Sequence, residues 1–203
     1  MNFLKDYMRL GILLSGLICI NWVLCGVEIW NLKEMDIDAL TLIKKVPMHT
    51  VYKGDGFYAK IWISNTRPFQ YGRDKYFYHI ATSGYLDEVV PLKAVIINEK
   101  GQCYGYATEI CETIQVDMNK IRTQGLNIVD STSKMVAQLF SRMRKITIKD
   151  GICFNDLAPT NLGIRANKCY YFDLDGIWSL DLYKINYPNW QEALFYLGSQ
   201  FIV

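Results

Sequence analysis

Metal-ligand motifs, charge runs and repeats are scarce in this chain, and each scarcity narrows its function. Two of its 203 residues are His, and the six Cys at positions 19, 25, 103, 111, 153 and 169 include no CxxC pair. Structural zinc needs closely spaced thiolate or imidazole ligands, so a zinc site is not expected. The cysteines follow no disulfide framework and read as buried reduced thiols, with disulfides left open for a secreted chain. No long run of one charge occurs: 22 Lys and Arg stand against 20 Asp and Glu, a net charge of +2. Without a basic tract, nucleic acid is not the expected partner. Internal repeats and low-complexity tracts are missing too. Hydrophobic content of 51% against 21% charged fits a globular protein and not a disordered one. The length suits one domain or two small lobes.

The first thirty residues, "MNFLKDYMRLGILLSGLICINWVLCGVEIW", carry Lys5 and Arg9 and then no charge from Leu10 to Val27. This run is at the lower limit for a membrane span and also describes a signal peptide. Export or membrane contact through 10–27 is one reading, and a helix packed on the domain is the other. Asn21 and three glycines inside the run weigh against a span.

Residues 28–45 read as helical or linking, with acids at Glu34, Asp36 and Asp38. "TVYKGDGFYAKIWIS" reads as two strands around a turn at Lys53-Gly54-Asp55-Gly56, because Gly accepts the positive φ of a tight hairpin. "RDKYFYHIATSG" predicts a short helix closed by Gly84. "VVPLKAVIINEKGQCYGYATEI" predicts two more strands around Glu99-Lys100-Gly101. The second half changes character. "DSTSKMVAQLFSRMRKI" predicts an amphipathic core helix, with Ser131 or Ser133 as N-cap and Met135, Val136, Leu139, Phe140, Met143 and Ile146 at helical spacing. "GICFNDLAPTNLGI" reads as a loop, "KCYYFDLDG" as a short strand ending in acids, and "YPNWQEALFYLGSQFI" as a last helix. The expected class is α+β, an antiparallel-sheet lobe followed by a helical lobe with a cleft between.

Chemistry-bearing residues follow an order along this plan. Lys60 lies on a strand, Asp156 and Asn161 flank a Pro-containing loop after the core helix, and Asp173 ends an apolar strand. A Lys can orient phosphate oxygens. An amide oxygen and a carboxylate suit Mg²⁺, which prefers hard oxygen ligands. A second carboxylate can take the proton of a hydroxyl that attacks a terminal phosphate.

In this order the chain resembles the protein-kinase-like superfamily. "FNDLAPTN" resembles the catalytic loop H-R-D-L-x-P-x-N, "FDLDG" the D-F-G segment, and "YAKI" the V-A-I-K strand. "TVYKGDG" is similar to the strand and turn that precede that Lys. The resemblance spans about residues 45–180. It implies a bilobal fold with an antiparallel-sheet N-lobe and a truncated helical C-lobe. The segments would be 1–33, an N-terminal hydrophobic helix; 34–112, the N-lobe; and 113–203, the C-lobe. ATP and Mg²⁺ are the implied cofactors. Asp156 would be the catalytic base, Asn161 and Asp173 the metal ligands, and Lys60 the ligand of the α- and β-phosphates. A hinge near Thr108 to Glu112, with Glu109 and Cys111, would hold adenine, and Asp74 would be the acidic partner of Lys60.

Departures from the family pattern are as informative. Phe154-Asn155 replaces His-Arg, Ala158 stands where a Lys is common, and Asp175 replaces the Gly of D-F-G. The Gly-rich loop should fall at Lys45 to His49, "KVPMH", which has no Gly. Thirty residues follow Asp173, too few for the usual helical subdomain. Such a short C-lobe is similar to the small bacterial effector kinases that phosphorylate a host heat-shock chaperone. The expected function is therefore transfer of the γ-phosphate to a protein hydroxyl, Ser or Thr, by a secreted monomer acting in a host cytoplasm; membrane anchoring is the alternative localisation. A nucleotide-binding pseudokinase and a small-molecule phosphotransferase are the competing functions.

Overall fold

The computed structural model describes residues 27–63, 87–101, 103–154 and 157–179. These divide into two compact units, one holding 27–63 and 91–110, the other 87–90 and 111–179. The class is α+β.

The first unit is a mixed sheet of six strands: β1 Glu28–Asn31, β2 Thr41–Lys45, β3 His49–Gly54, β4 Phe57–Trp62, β5 Leu92–Ile97 and β6 Cys103–Glu109. Their spatial order is β1-β5-β6-β4-β3-β2. Every pairing is antiparallel except that of β1 with β5. The β3–β4 hairpin turns at Asp55-Gly56, with Gly56 at φ +72°, as its sequence predicts. One sheet face carries an apolar cluster, in which Ala59, Ala94, Ile96 and Ala107 are buried with Trp30, Leu32, Met35, Phe57 and Ile61 packed on them, and on the other face Trp62, Val95 and Tyr106 are buried. The small residues at the centre let large ones close over them, and Trp30 meets the Phe57 ring edge-on at 4.8 Å.

Residues 28–45 correct the helical reading. Glu28–Asn31 and Thr41–Lys45 are strands, and only Ile37–Ala39 makes a 3-10 turn. The acids that looked helical serve turns: Asp36 accepts the Ala39 N–H at 3.3 Å. The sheet thus starts inside the 1–33 stretch read as a hydrophobic helix. Residues 1–26 of that stretch lie outside the described residues, as do 64–86, which include the helix expected at 73–84, and the helix expected after Tyr187. Among the described residues no helix is long and apolar enough to cross a membrane.

Among the described residues the second unit is built on two helices, α1 Met118–Gln124 and α2 Ser131–Asp150. Ser133, Val136, Ala137, Leu139, Phe140, Met143 and Thr147 form the buried stripe of α2, spaced three and four apart as one helix face requires. Asp130, not Ser131 or Ser133, caps the helix by accepting the Ser133 N–H at 2.7 Å. Asp and Ser are comparable caps, so composition could not choose between adjacent positions. Gly151, at φ 66° and ψ 32°, closes the helix in the left-handed conformation that suits glycine.

Two small sheets pair within this unit. One has β7 Glu112–Thr113, β9 Leu162–Arg165 and β10 Lys168–Tyr171 in the order β10-β9-β7; the other pairs β8 Ile152–Phe154 with β11 Ile177–Ser179. The stretch read as a single loop therefore contains β8, a 3-10 turn and most of β9. Its strand character shows in how deeply Ile152, Cys153, Phe154 and Leu162 are buried. Residues 88–90 dock on β10: Tyr171 N–H donates to the Glu88 carbonyl at 2.9 Å and Val90 N–H to the Tyr171 carbonyl at 3.0 Å. The buried Glu88 carboxylate also accepts from Arg142 Nε on α2 at 2.9 Å, which offsets the cost of burying its charge.

Candidate functional site

A hairpin places Asn161 and Asp173. β9 and β10 run antiparallel with Leu162 opposite Tyr171 and Arg165 opposite Lys168. The connection is Ala166-Asn167, with φ of 49° and 59°, a two-residue turn of the type that matches strand twist. The residues just outside the paired strands are then neighbours: Phe172 N–H donates to the Asn161 carbonyl at 3.1 Å, and Asp173 follows Phe172. Asn161 and Asp173 thus share the open end of one hairpin, and both are half-buried.

Local chemistry shapes each approach. Pro159 opens the 3-10 turn Pro159–Asn161, where its fixed φ is already suitable and its missing N–H costs nothing. Asn161 N–H closes the turn on the Ala158 carbonyl at 2.9 Å. After β10, Asp173 leads into the turn Leu174–Gly176, held by Gly176 N–H on the Asp173 carbonyl at 2.8 Å. The Asp173 side chain makes no cap bond to that turn. β11 then returns to β8, with Ile177 opposite Phe154. The segment that leaves β8 after Phe154 therefore starts beside the strand that follows Asp173. Asp156 is in that segment and lies outside the described residues, as does Asp74.

Lys60 occupies β4, an inner strand. It is opposite Val51 of β3 and Tyr106 of β6, so it shares their sheet face. The apolar core cluster with Ala59 lies on the other face. In V-A-I-K the Ala stands two residues before the Lys, on its own face; here that place is Tyr58, and Ala59 faces away. Glu109 ends β6 opposite Phe57, on the face away from Lys60. Its N–H donates to the Pro91 carbonyl at 3.1 Å. Cys111 is buried where the chain enters the second unit.

Sequence reasoning missed Gly163. A Cβ there would come 2.5 Å from the Cys111 Cβ and 3.1 Å from the Glu112 carbonyl oxygen. An isolated Gly in a strand is the available signal for such a close approach. Gly163→Val should force β7 from β9 and destabilise the protein by about 1–3 kcal/mol, read as a lower urea midpoint. An unchanged midpoint would mean that the Cys111–Gly163 contact yields easily.

Among the described residues no three His, Cys, Asp or Glu side chains gather as a metal site. The donor set on offer is one amide and one carboxylate. Two hard-oxygen ligands suit Mg²⁺, which keeps waters and takes substrate phosphates for its other positions. The four described cysteines are free thiols; Cys111, Cys153 and Cys169 are buried as the sequence predicted, and Cys103 is half-exposed. Burial pushes the Cys169 thiol up to about 12, so it stays protonated at pH 8. Iodoacetamide at pH 8 should label half-exposed Cys103 well before Cys169, and both in urea. Peptide mass spectrometry reads the order, and equal native rates would contradict the burial.

No protein-family model matches the chain, and a search of curated proteins returns no match.

Proposed function

We propose that the protein is an ATP- and Mg²⁺-dependent phosphotransferase of protein-kinase-like architecture, acting on a protein hydroxyl. The observation that carries this is the β9–β10 hairpin, which brings an Asn and an Asp twelve residues apart to one backbone junction. Two facts support it. Lys60 lies on an inner strand after a strand–turn–strand, and the chain passes from a sheet unit to a helical unit just beyond Glu109.

In this reading Lys60 holds the α- and β-phosphates by charge. Asn161 and Asp173 would hold Mg²⁺, and the ion would supply charge neutralisation at the phosphate oxygens. The acceptor hydroxyl oxygen bonds to the γ-phosphorus as the bond from that phosphorus to the β–γ bridging oxygen breaks. The hydroxyl proton passes to Asp156, and ADP leaves. The acceptor class, Ser or Thr of a host protein such as a chaperone, rests on the resemblance to small effector kinases. So do the secreted location and the monomeric state.

Labelled γ-phosphate transfer from ATP to lysate proteins, by wild type and Asp156→Ala, tests the reading. The expected result is a labelled band that disappears with the variant. Equal labelling by both would remove Asp156 from the chemistry. A second reading, a nucleotide-binding module without transfer, is favoured by the glycine-free turn between β2 and β3. A rise in thermal midpoint with ATP and Mg²⁺ but no labelled band would establish it.

A further inference from the structure

A nucleotide's phosphates need donors, and the turn between β2 and β3 is poorly equipped to supply them from its backbone. It comprises Val46, Pro47 and Met48. Pro47 has no N–H, and the Val46 N–H donates to the His49 carbonyl at 3.0 Å. A cradle of backbone amides, as in a glycine-rich loop, cannot be built from these two residues.

The sheet carries other cations nearby. β2 pairs with β3 so that Lys44 is opposite Val51 and Thr41 opposite Lys53. β3 pairs with β4 so that Val51 is opposite Lys60 and Lys53 opposite Tyr58. Lys44, Val51 and Lys60 therefore form one row across three strands. Lys53, two residues from Val51 along β3, belongs to the same face. A register irregularity between Leu42 and Lys44 produces this alignment: Ile43 is extra, and Lys44 thereby shares the face of Lys60 while Lys45 goes to the other. The backbones of Lys44 and Lys60 are about 10 Å apart, two strand spacings, and each lysine has a flexible four-carbon stem. Exposure rises steadily along the row. Tyr106 is buried, Lys60 is half-buried, and Lys44 is exposed.

We infer that Lys44 and Lys53 join Lys60 in binding a polyphosphate chain, with side-chain ammoniums standing in for backbone amides. In the phosphotransferase reading above, on which the ligand's identity rests, that chain is the triphosphate of ATP. Lys44, at the outer end of the Lys60 row, takes its terminal part and Lys60 its inner part, with Lys53 on the strand between them.

Titration calorimetry of the full chain with ATP, adenosine and inorganic tripolyphosphate at low salt tests this. The double variant Lys44→Ala, Lys53→Ala should bind ATP and tripolyphosphate about tenfold more weakly and adenosine unchanged. Lys44→Arg with Lys53→Arg should retain wild-type affinity. Both sites are exposed, so neither variant should lose its fold. If the Ala variant binds ATP and tripolyphosphate as wild type does, the inference is overturned. Lys44 is then a charge that protects the β2 edge from pairing, Lys53 is a solvated surface charge, and the phosphotransferase reading stands. If wild type binds tripolyphosphate but not ATP, and the variant loses it, the polyphosphate site stands and the nucleotide reading falls. Failure of wild type to bind either anion overturns both.

Discussion

In the phosphotransferase reading, Asp173→Ala is expected to lower γ-phosphate transfer by at least about a hundredfold. That is the scale lost when a group acting on transition-state charge is removed. The expectation comes from where the hairpin puts this carboxylate. Asp173 follows the residue whose N–H closes on Asn161, and its backbone carbonyl, not its side chain, holds the next turn. Truncation would therefore remove the proposed metal ligand and leave that turn's backbone bond in place. Asp173→Asn should fall between, because it keeps an oxygen donor and loses the charge. Asn161→Ala should be partly rescued by raising Mg²⁺ if its role, as proposed, is affinity for the metal. The thermal midpoint measured alongside separates lost chemistry from lost folding. Transfer at the wild-type rate by folded Asp173→Ala would remove the metal role, and with it the main support for the phosphotransferase reading.

The second large effect is structural. Phe140→Ala should cost about 3–5 kcal/mol, the usual result of deleting a fully buried aromatic side chain. Phe140 has 0% exposure and lies mid-stripe on α2, between Val136 and Met143. That helix packs against α1, β8 and β10, so a cavity there undercuts the strands that carry Asn161 and Asp173. Against a typical total stability of about 5–15 kcal/mol, much of the native state would be lost at physiological temperature. Urea unfolding followed by circular dichroism measures it, and Phe140→Leu should cost less because more volume is kept. A loss under about 1 kcal/mol would mean that this side of α2 is not the core face.

Locally written elements were legible. Phe57, Ala59 and Ile61 alternate with Tyr58, Lys60 and Trp62, and Gly56 marks the turn before them, so β4 and its hairpin needed no tertiary information. The same holds for α2, whose apolar stripe repeats over several turns, and for the buried thiols. β1 was not legible, because four residues with acids close behind give no period to read. Its strand state depends on β5 being alongside. The β9–β10 turn hid for a similar reason. Ala166-Asn167 contains no glycine, and an Ala at positive φ is tolerated only when the paired strands hold it there.

Residue types and their order along the chain were determined by sequence alone: a Lys on a strand, an Asp and an Asn around a Pro, an Asp after an apolar run. Proximity was decided by the fold. Hairpin pairing, a long-range backbone interaction, makes Asn161 and Asp173 neighbours. The irregularity in β2 assigns Lys44 to the face of Lys60, because side chains alternate and one extra residue reverses every facing beyond it.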